Sequence, residues 1–125
     1  MLIEFNICQK EENKKKYWFQ DEYFDLFVWF DTHSGKIINF QLCYDRLRRE
    51  RVMSWDYENG FNHYYIDDGE YSPHKNMSPV FFLEGKFAYN EAIPRFIKSS
   101  NQIDKKIRHF IIKKLDEYIQ ENPNG

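Results

Sequence analysis

Ser54, Asp56, His63, Asp67, Asp68, Glu70, His74 and Lys75 are the densest group of residue types in this chain able to move a proton or hold an ion. An imidazole beside a carboxylate gains a fixed tautomer and a higher basicity, which is what general base catalysis asks of it. The Asn59-Gly60 pair favours a two-residue hairpin turn, since both central residues of that turn need positive φ. A turn there sets Asp56 opposite His63, with Ser54 diagonally beside it, and turns Met53, Trp55 and Tyr57 to the core with Ile66, Tyr64 and Asn62. The enzymatic reading is then a small hydrolase in which Asp56 orients His63 as the catalytic general base, with Asp67 or Asp68 holding a metal in one version. Ser54 stands on a strand, however, without the sharp turn that exposes a serine nucleophile. A cross-strand polar pair on a solvated hairpin face accounts for the same residues.

A metal site would draw on His63, Asp67, Asp68 and His74, but their spacing matches no standard ligand set. Asp67-Asp68-Gly69-Glu70 lacks the alternating ligands and distant glutamate of a calcium loop, so it reads as an acidic turn. No metal or cofactor is assigned, and whether the chain is an enzyme stays open.

A second surface follows from the segments FDLFVWFD (24–31) and IINFQLCYD (37–45), joined by THSGK. Slipping one strand by one residue would expose its whole apolar side, so the core fixes the register. It sets Phe30, Val28, Leu26 and Phe24 opposite Ile38, Phe40, Leu42 and Tyr44. The reverse side then pairs Trp29 with Asn39, Phe27 with Gln41 and Asp25 with Cys43. Aromatic side chains supply contact area and amides supply orientation, as a binding surface requires. Another strand, loop or subunit covering the same rings is the structural alternative.

These residues need elements to position them. At 125 residues with 42% hydrophobic and 30% charged side chains, the chain fits one globular domain, 1–125. Its aromatic content of 19% exceeds what a core of this size demands. A net charge of -2 argues against broad attraction to nucleic acid or membranes. Arg46, Arg48, Arg49 and Arg51, and Lys105, Lys106, Arg108, Lys113 and Lys114, are basic clusters diluted by acidic neighbours, which makes nucleic-acid binding a minor reading. Cys8 and Cys43 form no CxxC pair and read as reduced thiols, and the apolar start of the chain is too short for a membrane span, so a cytoplasmic location is expected.

The expected fold is α+β, an antiparallel β-meander of about five to six strands followed by two C-terminal helices packed on the sheet. Strands are expected at 2–8, 24–31, 37–45, on both sides of Asn59-Gly60 and at 80–87, with a short further strand at 17–20. Lys10 to Lys16 reads as a solvated loop, and 67–79 as a long loop of the kind that often carries function. Pro94 implies a short or late helix near 91–99, and Asn101 with Asp104 implies the start of a second, amphipathic one.

The segments YFDLFVWFD (23–31), GKIINFQLCYD (35–45), GFNHYYIDDGE (60–70) and KNMSPVFF (75–82) resemble those of a family of small uncharacterised bacterial proteins. The resemblance spans roughly half the chain, is most specific in FQLCYD and DDGE, and implies a self-contained bacterial domain with no catalytic residue attached. The favoured function is a binding or protein-interaction module. Its surface would comprise Phe27, Trp29, Asn39 and Gln41 together with Asp67, Asp68, Glu70, His74 and Lys75, and the partner would be a protein, a small molecule or a second copy of the chain.

Overall fold

The structure is a computed structural model that describes residues 1–11, 13–66, 81–83 and 87–122. Among the described residues seven strands run β1 (Ile3–Glu11), β2 (Lys14–Gln20), β3 (Phe24–Asp31), β4 (Ile37–Tyr44), β5 (Arg51–Asp56), β6 (Gly60–Ile66) and β7 (Phe81–Leu83). Two helices follow, α1 (Tyr89–Ser99) and α2 (Lys105–Glu121). The strands lie side by side in chain order, every neighbouring pair antiparallel, so the fold is the expected meander with two helices after it.

The short strand expected at 17–20 begins earlier, at Lys14, where a charged loop was expected. Lys14, Lys15 and Lys16 pair with Asp31, Phe30 and Trp29 along β2. A lysine can lay its aliphatic stem on an apolar neighbour and keep its ammonium in water, so a strand tolerates the charge. Lys15 sits over the Tyr17 ring and Lys16 over the rings of Phe27 and Trp29.

Aspartates close three of the turns. Asp21 accepts the N–H groups of Tyr23 and Phe24, Asp31 those of His33 and Ser34, and Asp56 those of Glu58 and Asn59. A short carboxylate bonded to the backbone two or three residues on mimics a backbone turn and fixes where each strand restarts.

One face of the sheet is the core. Phe24, Leu26 and Val28 of β3 and Phe40, Leu42 and Tyr44 of β4 are fully buried there. Ala92 and Phe96 of α1 and Ile107, Ile111 and Leu115 of α2 cover them. Phe96 meets Phe24 edge to face, and Phe110 meets Phe40 in the same way. The β3–β4 register is as expected from Phe24 to Trp29, after which a bulge sets Phe30 opposite Ile37 instead of Ile38.

The helix starts differ from expectation. α1 begins at Tyr89 and carries Pro94 inside it. Pro94 is exposed, so the cost is one missing backbone bond without any clash against the core. Asp104 is the cap of α2, its carboxylate accepting the N–H groups of Lys106 and Ile107, and Asn101 lies outside the helix.

Candidate functional site

The hairpin β5–β6 does not use the two-residue turn. Asp56 pairs with Gly60, Ser54 with Asn62 and Met53 with His63, an offset of three residues from the arrangement expected of Asn59-Gly60. Asp56 is the cause: by accepting the N–H groups of Glu58 and Asn59 and the Asn59 side-chain amide, it closes the loop over Tyr57, Glu58 and Asn59. Gly60 follows with φ of 81°, the left-handed conformation that ends a loop of this kind.

An odd offset exchanges the faces of β6. His63 turns to the core and is buried, whereas Asp56 is a turn residue whose row of the sheet faces away from the helices. The expected pairing of Asp56 with His63 is therefore not formed, and Asp56 does not orient the imidazole. The Tyr44 hydroxyl hydrogen-bonds His63 Nε2 at 2.7 Å and accepts the Ala88 N–H at 3.2 Å. The two rings stack, and Phe87 packs against both. Burial pushes the Tyr44 hydroxyl up to about 12, so it is neutral at physiological pH. This arrangement ties β4 and β6 to the start of α1. Ser54 lies on the other face, hydrogen-bonded to Tyr64. Asp67, Asp68, Glu70, His74 and Lys75 lie outside the described residues. Among the described residues no group of three His, Cys, Asp or Glu side chains is placed to hold a metal ion.

The face of the sheet away from the helices is ordered in rows. Phe5, Trp18, Phe27, Gln41, Ser54 and Asn62 are successive partners from β1 to β6. At 4.8 Å between strands such a row spans about 24 Å. Beside it run Lys16, Trp29, Asn39 and Asp56, and on its other side Gln20, Asp25, Cys43 and Val52. Phe27 and Trp29 thus stand beside Gln41 and Asn39, as the alternation implies. Phe5 and Trp18 extend the aromatic half and were not anticipated, although the alternation of Tyr17 and Phe19 with Trp18 and Gln20 carries the signal.

The rings in this half contact one another. Phe5 meets Trp18 edge to face at 4.6 Å, Trp18 and Phe27 are nearly parallel at 5.7 Å, and Phe27 and Trp29 are tilted at 6.3 Å. Parallel rings that close cannot lie flat in one plane, so Trp18 and Phe27 stand offset from one another. The Lys16 ammonium lies 4.8 Å from the Phe27 ring centre and 5.3 Å from that of Trp29. Asp25 fixes the base of the group by accepting the Trp18 indole N–H at 2.9 Å and the Gln20 amide at 2.7 Å. The result is a ridge of half-buried rings on β1–β3 facing a field of small polar groups on β4–β6.

Cys43 is buried in this face, and its thiol is pushed up by burial, by Glu50 and by Asp25, which keeps it protonated and unreactive. Burial and the Asp25 charge also raise Glu50. Of the basic residues, Arg46 donates to the Asp21 carbonyl, Arg51 pairs with Asp45, Lys106 donates to the Gly35 carbonyl, and Arg108 donates to Ser100 and the Ile97 carbonyl. These cations hold the fold together and do not form one presented patch.

A cleft of about 680 Å³ lies on the helix side, between the β5–β6 hairpin and the last turns of α2. Trp55, Phe61 and Tyr118 form its walls, Glu117 and Glu121 its rim, and it reaches inward to His63. No described helix is long and apolar enough to cross a membrane. No family model, curated protein or solved structure matches the chain.

Proposed function

We propose that this protein is a binding module that takes a protein partner on the sheet face away from the helices. The observation that carries the reading is the standing ridge of Phe5, Trp18, Phe27 and Trp29 beside Asn39, Gln41, Ser54 and Asn62. Aromatic anchors bordered by neutral hydrogen-bonding groups are the usual composition of a protein contact, where rings enter pockets and polar groups set orientation. A base or a sugar ring stacks on an open aromatic face, but here the ring faces lie against each other and against Lys16. Rings packed on one another in this way fit a contoured apolar surface better than a flat ring. The hydrolase reading has no comparable support, because His63 bonds Tyr44 inside the core while Asp56 closes a turn.

The test is affinity capture with three forms of the chain: the parent, Trp29→Arg on the ridge, and Lys113→Ala on the far side of α2. A partner held by the parent and by Lys113→Ala but lost with Trp29→Arg supports the proposal, and light scattering shows whether that partner is a second copy. Equal capture by all three forms contradicts it. So does chemical-shift perturbation of the ridge by oligothymidylate or a neutral oligosaccharide that Trp29→Arg abolishes.

A further inference from the structure

The cleft between the β5–β6 hairpin and the end of α2 has a chemistry of its own, on the opposite side of the sheet from the proposed protein contact. We infer that it binds an alkylammonium group, held against the aromatic rings of Phe61 and Tyr118 and by the carboxylate of Glu121.

The molecule already shows this mode of binding one turn back along the helix. Lys114 Nζ lies 4.5 Å from the Trp55 ring centre and 5.6 Å from that of Phe110. The same ammonium donates to Glu117 Oε1 at 3.2 Å. An ammonium is thus held by a pair of rings, Trp55 and Phe110, that meet edge to face at 5.3 Å and 65°. Phe61 and Tyr118 repeat that pair at 5.4 Å and 65°. Glu121 stands on the next turn and forms no ion pair among the described residues. The second ring pair thus repeats the ring geometry of the first, and Glu121 lines the same cleft.

Three features select a cation and not another ligand. Aromatic faces attract cations through the ring quadrupole, most strongly where water is partly excluded. The carbonyl end of a helix carries partial negative charge, and the last turn of α2 contains no basic residue to offset it. Among the described residues no lysine or arginine lines the cleft, whereas Glu121 and the Lys114-paired Glu117 do. A cleft of about 680 Å³ is large enough for an extended alkylammonium chain. Two sources present this chemistry, a free polyamine and a lysine side chain of a basic peptide.

The experiment is a titration of the full chain, followed by backbone and tryptophan-indole chemical shifts. The probes are spermidine and an acetylated, amidated lysine tripeptide, with sodium chloride at matched ionic strength as the control. Saturable shifts at Trp55, Phe61, Tyr118 and Glu121 with at least one probe, weakened about tenfold or more in Glu121→Gln, are expected. The tighter probe identifies the source. Glu121 is exposed at a helix end, so its variant keeps the fold, and Trp29→Arg should leave the titration unchanged. Absence of saturable shifts with both probes overturns the inference, as does equal binding by Glu121→Gln. Shifts matched by sodium chloride overturn it too.

Discussion

The two faces of this sheet are built by alternate residues of the same strands, yet they differ in how their side chains are satisfied. On the helix side Phe24, Leu26, Val28, Phe40, Leu42 and Tyr44 have no exposure left, each locked against α1, α2 or a neighbouring strand. On the other side Trp18, Phe27 and Trp29 are half-buried, held mainly by each other, by Lys16 and by the Asp25 carboxylate under Trp18. The difference teaches that only one face is needed to hold the fold. Rings on the other face are costly to leave near water unless something uses them.

Substitutions can break or sharpen this contrast. The largest effect belongs to the covered face: Phe40→Ala removes a fully buried ring between Trp55 and Phe110 and should cost about 3–5 kcal/mol in urea unfolding. His63→Leu comes next. It leaves the buried Tyr44 hydroxyl without its imidazole and should cost about 1–3 kcal/mol by the same measurement. A loss as small as that of a surface substitution would place His63 outside the core.

Asp56→Ala removes the turn bonds to Glu58 and Asn59 and should cost about 1 kcal/mol. Its effect depends on pH. The Asn59 N–H and side-chain amide, with the Glu58 N–H, hold the Asp56 carboxyl below its ordinary value. Ser34 and His33 do the same for Asp31. A carboxylate with a depressed folded-state pKa stabilises the fold above its unfolded value, near 3.9, and loses that contribution as pH falls through the lower folded value. Urea midpoints should therefore decline on acidification to about pH 3. The parent and Asp56→Ala curves should approach each other as pH falls and converge only below the depressed folded-state value of Asp56. Trp29→Ala should have the smallest effect on stability, about 1 kcal/mol or less, while abolishing partner capture. A larger stability loss at Trp29 than at Phe40 would reverse the contrast between the faces.

The sequence made one hairpin legible and misled about the other, for physical reasons that can be named. The β3–β4 register follows from burial: six apolar residues must point one way, so Phe27 and Trp29 fall beside Gln41 and Asn39 with no knowledge of the turn. The β5–β6 register was inferred from a dipeptide instead. Asn59-Gly60 favours a tight turn, but the Asp56 carboxylate closes a longer loop and uses Gly60 at its end. Burial gave no warning, because His63 is a polar residue in a core position, made acceptable by Tyr44. The first three residues of β2 were hidden by their charge, because Lys15 and Lys16 lie on Tyr17, Phe27 and Trp29. Trp18 lay in the part of β2 that was expected, but without the register between strands its place between Phe5 and Phe27 was not legible.

Hydroxyl-radical footprinting of the isolated chain and of the chain in cell extract addresses the role of the ridge most directly. Trp18, Phe27 and Trp29 should be oxidised in isolation while Phe24, Phe40 and Tyr44 stay protected, and the ridge alone should become protected in extract. Equal oxidation of Trp18, Phe27 and Trp29 in both conditions would contradict the assignment of this face to a protein partner.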